Sequence, residues 1–410
     1  MRVTQSLEQT QFLSALDTLE SNISTTQNQV TSGLSFTTPS ENPAAAGTVN
    51  GLNQVLSQSQ QFSSNASAAQ GSLQTENNAL DQVQTQLQSL YSLTLQAGSG
   101  TQSQQSLAAI AAQATQIQSS LLGVANTQDG QGQYIFAGYA TQTQPFALTA
   151  TGATYSGDQG QRQVQIAAGQ TLGTGDNGDL VFNQIKNGNG TFTVAAGPNA
   201  TSGTGGTPGP NTGTGIIGAS TVTSASSYTG GSYTIKFTAP GAYQVLDSNN
   251  ATVTSGAYTS GSAISFAGIQ VTLTGQPATG DTFAVAPSKN QSIFTTVQNL
   301  VTALQSYSAG PSQQTQLSNS LATALGNINQ AINQTSTIVS QVGGRLNQIT
   351  TQQSVATAQQ IQLKTSISAL QSLDYPSAIT SLTAENTQLQ AAMQAFTLTQ
   401  GLSLFKYIPA

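Results

Sequence analysis

Few side chains in this 410-residue chain could perform acid–base, nucleophilic or metal chemistry. The sequence has no His and no Cys, which removes the imidazole base, the thiolate nucleophile, the disulfide and the usual zinc ligands. Its 14 Asp and Glu residues are scattered along the chain rather than grouped as a catalytic pair. We therefore expect a protein that is not an enzyme, with no catalytic residues, no cofactor and no metal site.

Two pairs of acidic residues lie close together in the sequence. Asp17 and Glu20 fall within a helical pattern, where a solvated helix face is the simplest interpretation. Asp176 and Asp179 lie in a Gly-rich stretch, where Asp commonly stabilises turns. A calcium site that also uses Asn177 is the alternative, since clustered oxygen ligands suit calcium. Because no Glu completes such a ligand set, the sequence favours the plain turn.

The Gly-rich stretches do not resemble phosphate-binding loops. Neither residues 157–160 nor residues 203–206 are followed by the Lys-Ser/Thr pair of a nucleotide-binding loop. The triplet Gly343-Gly344-Arg345 lies inside a helical pattern and leaves two interpretations open. One is an irregular helix with Arg345 extended along its side, and the other is a close contact between helices that only glycine permits.

The composition of the chain argues against some classes of binding partner. Only 5% of the residues are charged and the formal net charge is −6, which argues against binding nucleic acid or an anionic membrane. No run approaches the ~18 apolar residues of a membrane span, and no Sec-type signal peptide is apparent, so we expect no membrane insertion. So few titratable groups predict that the unfolding midpoint hardly changes between about pH 7 and pH 4.

The elements that position these residues are long helices with a heptad repeat. Across residues 52–94, mostly apolar side chains recur alternately three and four positions apart, interrupted by Ser59, Glu76 and Thr94. At ~1.5 Å per residue the helix would be roughly 60 Å long, and it cannot bury its apolar stripe alone. The same spacing recurs in residues 12–30, 107–124, 293–304 and 317–349.

The middle of the chain has a different pattern. From about residue 141 to 287, Gly, Thr, Ser and Asn dominate and short alternating runs predict strands. Asn187-Gly188 and Thr279-Gly280-Asp281 predict hairpin-type turns, and residues 201–215 predict a flexible loop. We predict an α+β protein: a long antiparallel α-helical coiled-coil rod formed by both termini, with an inserted all-β outer domain. We expect five divisions. They are a first assembly helix (residues 1–38), the first half of the rod (39–140), the outer domain (141–287), the second half of the rod (288–374) and a last assembly helix (375–410).

Several motifs resemble the bacterial flagellin superfamily. They are Gln-Asn-Gln-Val-Thr-Ser-Gly at 27–33 with Pro-Ser-Glu-Asn-Pro-Ala-Ala-Ala at 39–46, Gly-Gln-Tyr-Ile-Phe-Ala-Gly at 132–138, Tyr-Pro-Ser-Ala-Ile-Thr-Ser-Leu at 375–382, and the stretch 389–408. The form of the 39–46 motif is more similar to the hook–filament junction branch than to filament flagellin. The resemblance covers about the first 145 residues and those from roughly 264 onward, while the intervening stretch resembles no family that we can name.

This resemblance implies a structural adaptor of the bacterial flagellum that joins hook-side and filament-side rings. The implied partners are further copies in a homo-oligomeric ring, a neighbouring hook-associated protein, flagellin and, before secretion, an export chaperone. The implied location is extracellular, on the flagellum, after type III export. The alternatives are a filament flagellin and a secreted adhesion module that displays the β insert.

The first and last helices are the expected assembly interface. Isolated helices of their length are marginal in water, so we expect them to be largely disordered in the free protein and to become helical when neighbouring subunits bury their apolar stripes. The predicted interface residues are Phe12, Leu16, Leu19, Ile23, Val30, Leu382, Leu389, Met393, Phe396, Leu404 and Phe405.

Overall fold

The computed structural model describes residues 2–100, 102–199, 201 and 209–401. The helices within these residues are α1 (Arg2–Ser32), α2 (Pro43–Ala97), α3 (Gln104–Ala125), α4 (Ile293–Gln305), α5 (Pro311–Gln371) and α6 (Tyr375–Gly401). The strands are β1 (Phe146–Thr149), β2 (Gly152–Tyr155), β3 (Gln163–Ala167), β4 (Gln170–Gly173), β5 (Ile185–Lys186), β6 (Phe192–Ala196), β7 (Pro198–Asn199), β8 (Gly209–Pro210), β9 (Ile216–Val222), β10 (Tyr233–Ala239), β11 (Ala242–Asp247), β12 (Thr252–Ala257), β13 (Ala263–Phe266), β14 (Ile269–Thr274), β15 (Thr282–Pro287) and β16 (Asn290–Gln291). The predicted α+β fold, with helical termini and a β-rich middle, is confirmed.

Local sequence signals set the helix boundaries. Helix α1 ends before Gly33, whose φ of +72° is left-handed and favours glycine. Helix α2 begins at Pro43, and the Oδ1 of Asn42 accepts a hydrogen bond from the Ala45 amide at 3.1 Å. Helix α6 begins at Tyr375 beside a proline that cannot continue α5. Gly33 and Asn42 therefore mark the end of α1 and the start of α2.

The chain divides into two compact units, and the first contains the described parts of residues 1–64 and 351–410. Here α1 and α6 run antiparallel, since Phe12 lies against Phe396 while Thr26 reaches Glu385. The same unit contains a small separate core, in which Phe36 packs with Ala46 and Val49.

The seam of α2 is less complete in this unit than predicted. Val55 is 41% exposed and Leu52 is only half-buried. Ile361 of α5 is exposed as well, although the helix continues as predicted.

The second unit, residues 65–350, contains the main helical core. The heptad positions of α2 from Ala66 to Thr94 are buried, as are the apolar heptad positions of α5 from Leu317 to Ile349. Strands β1–β5 contribute to the same core, because Phe146, Ile166 and Leu172 pack in one cluster with these helices. The first part of the β-rich segment is thus built into the helical core.

The rest of the β-rich segment has a core of its own, which we call the outer β unit (residues 188–287). A five-stranded sheet with the order β12-β11-β10-β15-β6 and a three-stranded sheet with the order β13-β14-β9 share one hydrophobic cluster. All strand pairs in both sheets are antiparallel. Phe237, Phe283 and Ile269 are fully buried at its centre.

Some turn predictions were wrong in detail. Gly188 and Gly280 do adopt left-handed φ values of +67° and +86°, but neither turn makes a hairpin. Strand β5 pairs with β16 and β6 pairs with β15, while the turn at Gly280 connects strands of two different sheets. A π-helical turn, Asp179–Asn183, also interrupts the segment that was predicted to be all β. Residues 202–208 of the predicted flexible loop lie outside the described residues.

Candidate assembly surface

The terminal helix pair, α1 with α6, buries most of the predicted interface residues within one chain. Phe12 and Phe396 stack with ring centroids 5.0 Å apart and planes 8° apart. Ile23 is buried, and the predicted residues that are half-buried are Phe12, Leu16, Leu19, Val30, Leu382, Leu389 and Phe396. Leu404 and Phe405 lie outside the described residues. Of the predicted residues that the structure describes, only Met393 stays exposed.

A second set of apolar residues faces outward from the same two helices. Their exposed fractions range from 46% to 70%, and the members are Leu7, Leu13, Ile379, Met393 and Leu398. Sequence reasoning missed all of them except Met393, because they fall outside the heptad positions that pair α1 with α6. The sequence does contain a signal for this outward set, namely apolar residues that adjoin the heptad positions, such as Leu13 next to Phe12. Exposed apolar groups at this density are typical of association surfaces.

One carboxylate lies in the seam of the terminal helix pair. Glu385 is half-buried, and its Oε1 accepts a hydrogen bond from the Thr26 hydroxyl at 3.5 Å. Its Oε2 is buried and has no hydrogen-bond partner among the described residues. By contrast, Asp17 and Glu20 of α1 are exposed, as the sequence predicted.

Backbone hydrogen bonds join the turn after α1 to the break between α5 and α6. The Ser35 amide donates to the Gln371 carbonyl at 2.7 Å, and the Leu373 amide donates to the Gly33 carbonyl at 3.0 Å. A Cβ on Gly33 would lie 3.0 Å from the Tyr375 hydroxyl. The motif that ends at Gly33 and the motif that begins at Tyr375 therefore contact each other. The close approach of the Tyr375 hydroxyl explains why position 33 is a glycine.

The 39–46 motif forms a compact turn around Glu41. The Glu41 carboxylate accepts hydrogen bonds from the Thr37 amide at 2.9 Å and from the hydroxyls of Thr37 and Thr38 at 3.0 Å each. The hydrogen bond from the Thr37 amide is the main cause that lowers the pKa of Glu41. The acid in this motif thus fixes the turn between α1 and α2 rather than contributing reactive chemistry.

The two acids that sequence reasoning assigned to turn chemistry have different roles. Asp176 is buried and accepts two hydrogen bonds from the Arg345 guanidinium, at 2.9 and 3.0 Å. The Asp176 amide donates to Glu76 Oε1 at 2.9 Å. We call Glu76, Asp176 and Arg345 the buried ion cluster. Asp179, in contrast, accepts hydrogen bonds from side-chain amides, including that of Asn183.

The buried ion cluster changes the sequence-based interpretation of both Asp176 and Arg345. Asp176 is not a plain turn residue, because it anchors an ion pair across 169 positions of sequence. Arg345 does not extend along the helix surface, and a Cβ on Gly343 or Gly344 would meet nothing within 4 Å, so neither earlier interpretation of that triplet holds. The calcium alternative is disfavoured, because both oxygens of the Asp176 carboxylate accept hydrogen bonds from the Arg345 guanidinium.

Burial, followed by the nearby negative charge of Asp176, raises the pKa of Glu76 to about 8. The Asp176 amide and the positive charge of Arg345 act in the opposite direction without cancelling the rise. Its surroundings therefore favour the protonated form of Glu76, within a helix seam that is otherwise almost uncharged. None of the helices in the described part of the chain has the length and apolar content of a membrane span.

The chain matches known families over both ends. The bacterial flagellin N-terminal helical region matches residues 3–141, and the bacterial flagellin C-terminal helical region matches residues 325–408. Residues 208–287 match the D2-like domain of flagellar hook-associated protein 1. This last match covers only the latter half of the stretch that resembled no named family in the sequence, and it coincides with most of the outer β unit.

Individual relatives agree with these matches. FlgL from Xanthomonas campestris superposes with a TM-score of 0.70 at 31% identity, covering 77% of this chain and 99% of that one. Hook-associated protein 3 from Legionella pneumophila superposes with a TM-score of 0.73 at 27% identity, covering 78% and 98%. Flagellar hook-associated protein 3 of Salmonella typhimurium is 29% identical over 185 residues, 45% of this chain and 58% of that protein. The chain thus spans about half the length of the curated relatives it matches.

The paired flagellin-type helical regions, one at each end of the sequence, define the class as flagellin-like proteins of the bacterial flagellum. The full-length agreement with solved structures then narrows the class. The chain belongs to the family of flagellar hook-associated protein 3, also named FlgL.

Proposed function

We propose that this protein is a structural adaptor of the bacterial flagellum, joining the ring of subunits on the hook side to the ring on the filament side. The observation that carries the proposal is the agreement with FlgL of Xanthomonas campestris over 99% of its length at 31% identity. A solved relative from Legionella pneumophila is described as the flagellar junction protein, and it too is covered over its whole length.

The terminal helix pair is the proposed assembly surface. Pairing α1 with α6 uses the heptad residues within one chain and leaves the outward apolar set, including Leu13, Ile379 and Met393, for neighbours. The proposed neighbours are further copies in a homo-oligomeric ring, another hook-associated protein on one side and flagellin on the other. Burying these residues between subunits would stabilise the assembly by roughly 25 cal/mol for each Å² of apolar surface removed from water.

The proposed route to this position is export through the flagellar type III channel, with an export chaperone bound before secretion. Support comes from the family, whose curated members are named as hook-associated components of the flagellum. The proposed location is therefore outside the cell, at the hook–filament junction.

Complementation of a strain that lacks this gene tests the proposal. Electron microscopy of the deletion strain should show hooks without filaments, with flagellin released into the medium, and the wild-type chain should restore filaments. Met393→Asp should export normally but restore few or no filaments, because an unpaired charge in a packed interface is strongly unfavourable.

Gln388→Asp, which adds the same charge at an exposed polar position of α6, is the matched control and should restore filaments. Filaments that grow in the deletion strain without this protein would contradict the junction function. Full restoration by Met393→Asp would contradict only the assigned surface.

A further inference from the structure

The buried ion cluster joins three parts of the second unit. Glu76 comes from the seam of α2, Arg345 from α5, and Asp176 from the segment between β4 and the π-helical turn. Glu76 and Asp176 are 1% and 3% exposed. Two buried acids therefore lie beside one guanidinium, which donates its hydrogen bonds to Asp176 and belongs to a side chain that is 19% exposed. Gln161 adds only a neutral hydrogen bond to Asp176 at 2.8 Å.

The charges balance only when Glu76 keeps its proton. Arg345 offers Asp176 two hydrogen bonds, and the resulting ion pair is neutral as a whole. The Oε2 atom of Glu76 is buried and has no hydrogen-bond partner among the described residues. An ionised Glu76 would place a second negative charge beside Asp176, with one oxygen receiving no donor, and burying such a charge is costly. Asp81, further along α2, is exposed and does not offset it.

We propose that the buried ion cluster holds residues 174–178 against α2 and α5 as long as Glu76 is protonated. The segment opens together with the loss of one proton from Glu76, because only opening brings that carboxylate into water. The closed form of this segment is most stable in acid and becomes less stable as the pH rises.

The direction of this pH dependence follows from the pKa of Glu76 in the closed and open states of the segment. Burial raises its pKa from an ordinary 4.5 to about 8 in the closed state, whereas in the open state the carboxyl is solvated. Between these two values the open form has released a proton that the closed form retains, so closure is progressively disfavoured as the pH rises. Above about pH 8 both forms are ionised and the dependence ends. The sequence-based expectation of a nearly constant unfolding midpoint between about pH 7 and pH 4 is replaced by a rise in stability as the pH falls.

Amide hydrogen exchange of the full-length protein at several pH values tests the proposal. After correction for intrinsic exchange, measured on the unfolded chain, the protection of amides in residues 174–178 should fall about tenfold for each pH unit between roughly pH 5.5 and 7.5. Amides of the outer β unit, such as those of β10, should show no such slope.

Two variants make the test specific. Glu76→Gln resembles the protonated acid, so it should fold normally and abolish the slope while keeping the segment protected. Asp81→Asn removes an exposed acid from the same helix and should retain the wild-type slope. An equal slope in Glu76→Gln would show that another group titrates. A wild-type protein without any slope would show that Glu76 is not linked to opening, and either result would overturn the proposal.

Discussion

Asp281 is a buried carboxylate whose charge is balanced by hydrogen-bond donors rather than by a base. It is 1% exposed, and its two oxygens accept hydrogen bonds from the Asn199 side chain at 2.7 Å and from the amides of Thr212, Gly213 and Ala278 at 2.8–3.0 Å. Backbone amides aimed at a carboxylate can compensate for its burial. This residue therefore organises the loops of the outer β unit.

Asp281→Asn should destabilise the protein by about 2–4 kcal/mol, because an amide group would place a donor against donors that are already buried. Thermal or urea unfolding measures the change. Asp247→Asn is the control, since the Asp247 carboxylate accepts the Asn249 and Ala251 amides of an exposed hairpin turn. Its expected cost is below about 1 kcal/mol. Equal losses in both variants would contradict the assigned role.

Residue-level chemistry was the least predictable part of this sequence. Asp176 and Asp281 both follow turn-forming residues, so local pattern assigns both to turns. Their true partners, Arg345 and Asn199, are distant in sequence and come together only through tertiary packing. Glu76 was visible as a polar interruption of the α2 seam, but nothing in the sequence indicated which groups surround it.

At the scale of elements, the helices were the most predictable feature. The heptad positions of α2, α3, α4 and α5 in the second unit are nearly all buried, because long helices can bury a continuous apolar stripe only against one another. The heptad residues of the terminal helix pair were predicted as an assembly interface, and that stays a prediction. Within one chain the two helices already pack against each other, as the stacking of Phe12 on Phe396 shows.

The glycine pair in α5 provides a prediction about helix stability. Gly343→Ala should stabilise the protein by about 0.5–1 kcal/mol, because the new methyl group meets nothing within 4 Å and alanine favours helix. Thermal unfolding measures this. Gly33→Ala is the contrasting variant and should destabilise by about 1 kcal/mol or more, since its φ is +72°. Destabilisation by Gly343→Ala would indicate a close contact at that position after all.

The terminal helix pair provides a second prediction about elements. Phe396→Asp should weaken the pairing of α6 with α1, because it removes the stacked ring and places a charge beside Phe12. Met393→Asp should change stability by less than about 0.5 kcal/mol, because that side chain is exposed. Limited proteolysis of the free protein should then cleave within α6 faster in Phe396→Asp than in Met393→Asp or wild type. Equal cleavage rates would mean that the two helices are already unpaired in the free subunit.

At the scale of the whole molecule, the outer β unit should be removable. Its two ends are adjacent, since the Asn187 amide donates to the Lys289 carbonyl at 3.0 Å and β5 pairs directly with β16. Its hydrophobic cluster is distinct from that of the helices. A cut at residues 150–260 would instead remove β3 and β4, whose side chains Ile166 and Leu172 belong to the helical core.

Replacing residues 189–287 with a short Gly/Ser linker should therefore leave helicity and cooperative unfolding intact, as measured by circular dichroism during heating. Replacing residues 150–260 should abolish the cooperative transition and serves as the contrasting deletion. Side chains of α5 that hydrogen-bond the outer unit, such as Asn319 to the Ile217 amide at 2.8 Å, would become solvated at modest cost. Loss of cooperativity in the shorter deletion would show that the helices depend on the outer unit.

The pairing of α1 with α6 also fixes an order of events during folding. Thr26 and Glu385 are 359 positions apart, so their contact closes almost the longest loop available to the chain. A nascent chain has α1 early but lacks its partner until the residues of α6 have followed. A chain truncated before residue 375 would therefore expose the apolar stripe of α1 without its partner helix. The pairing of α1 with α6 thus distinguishes a finished subunit from a truncated one.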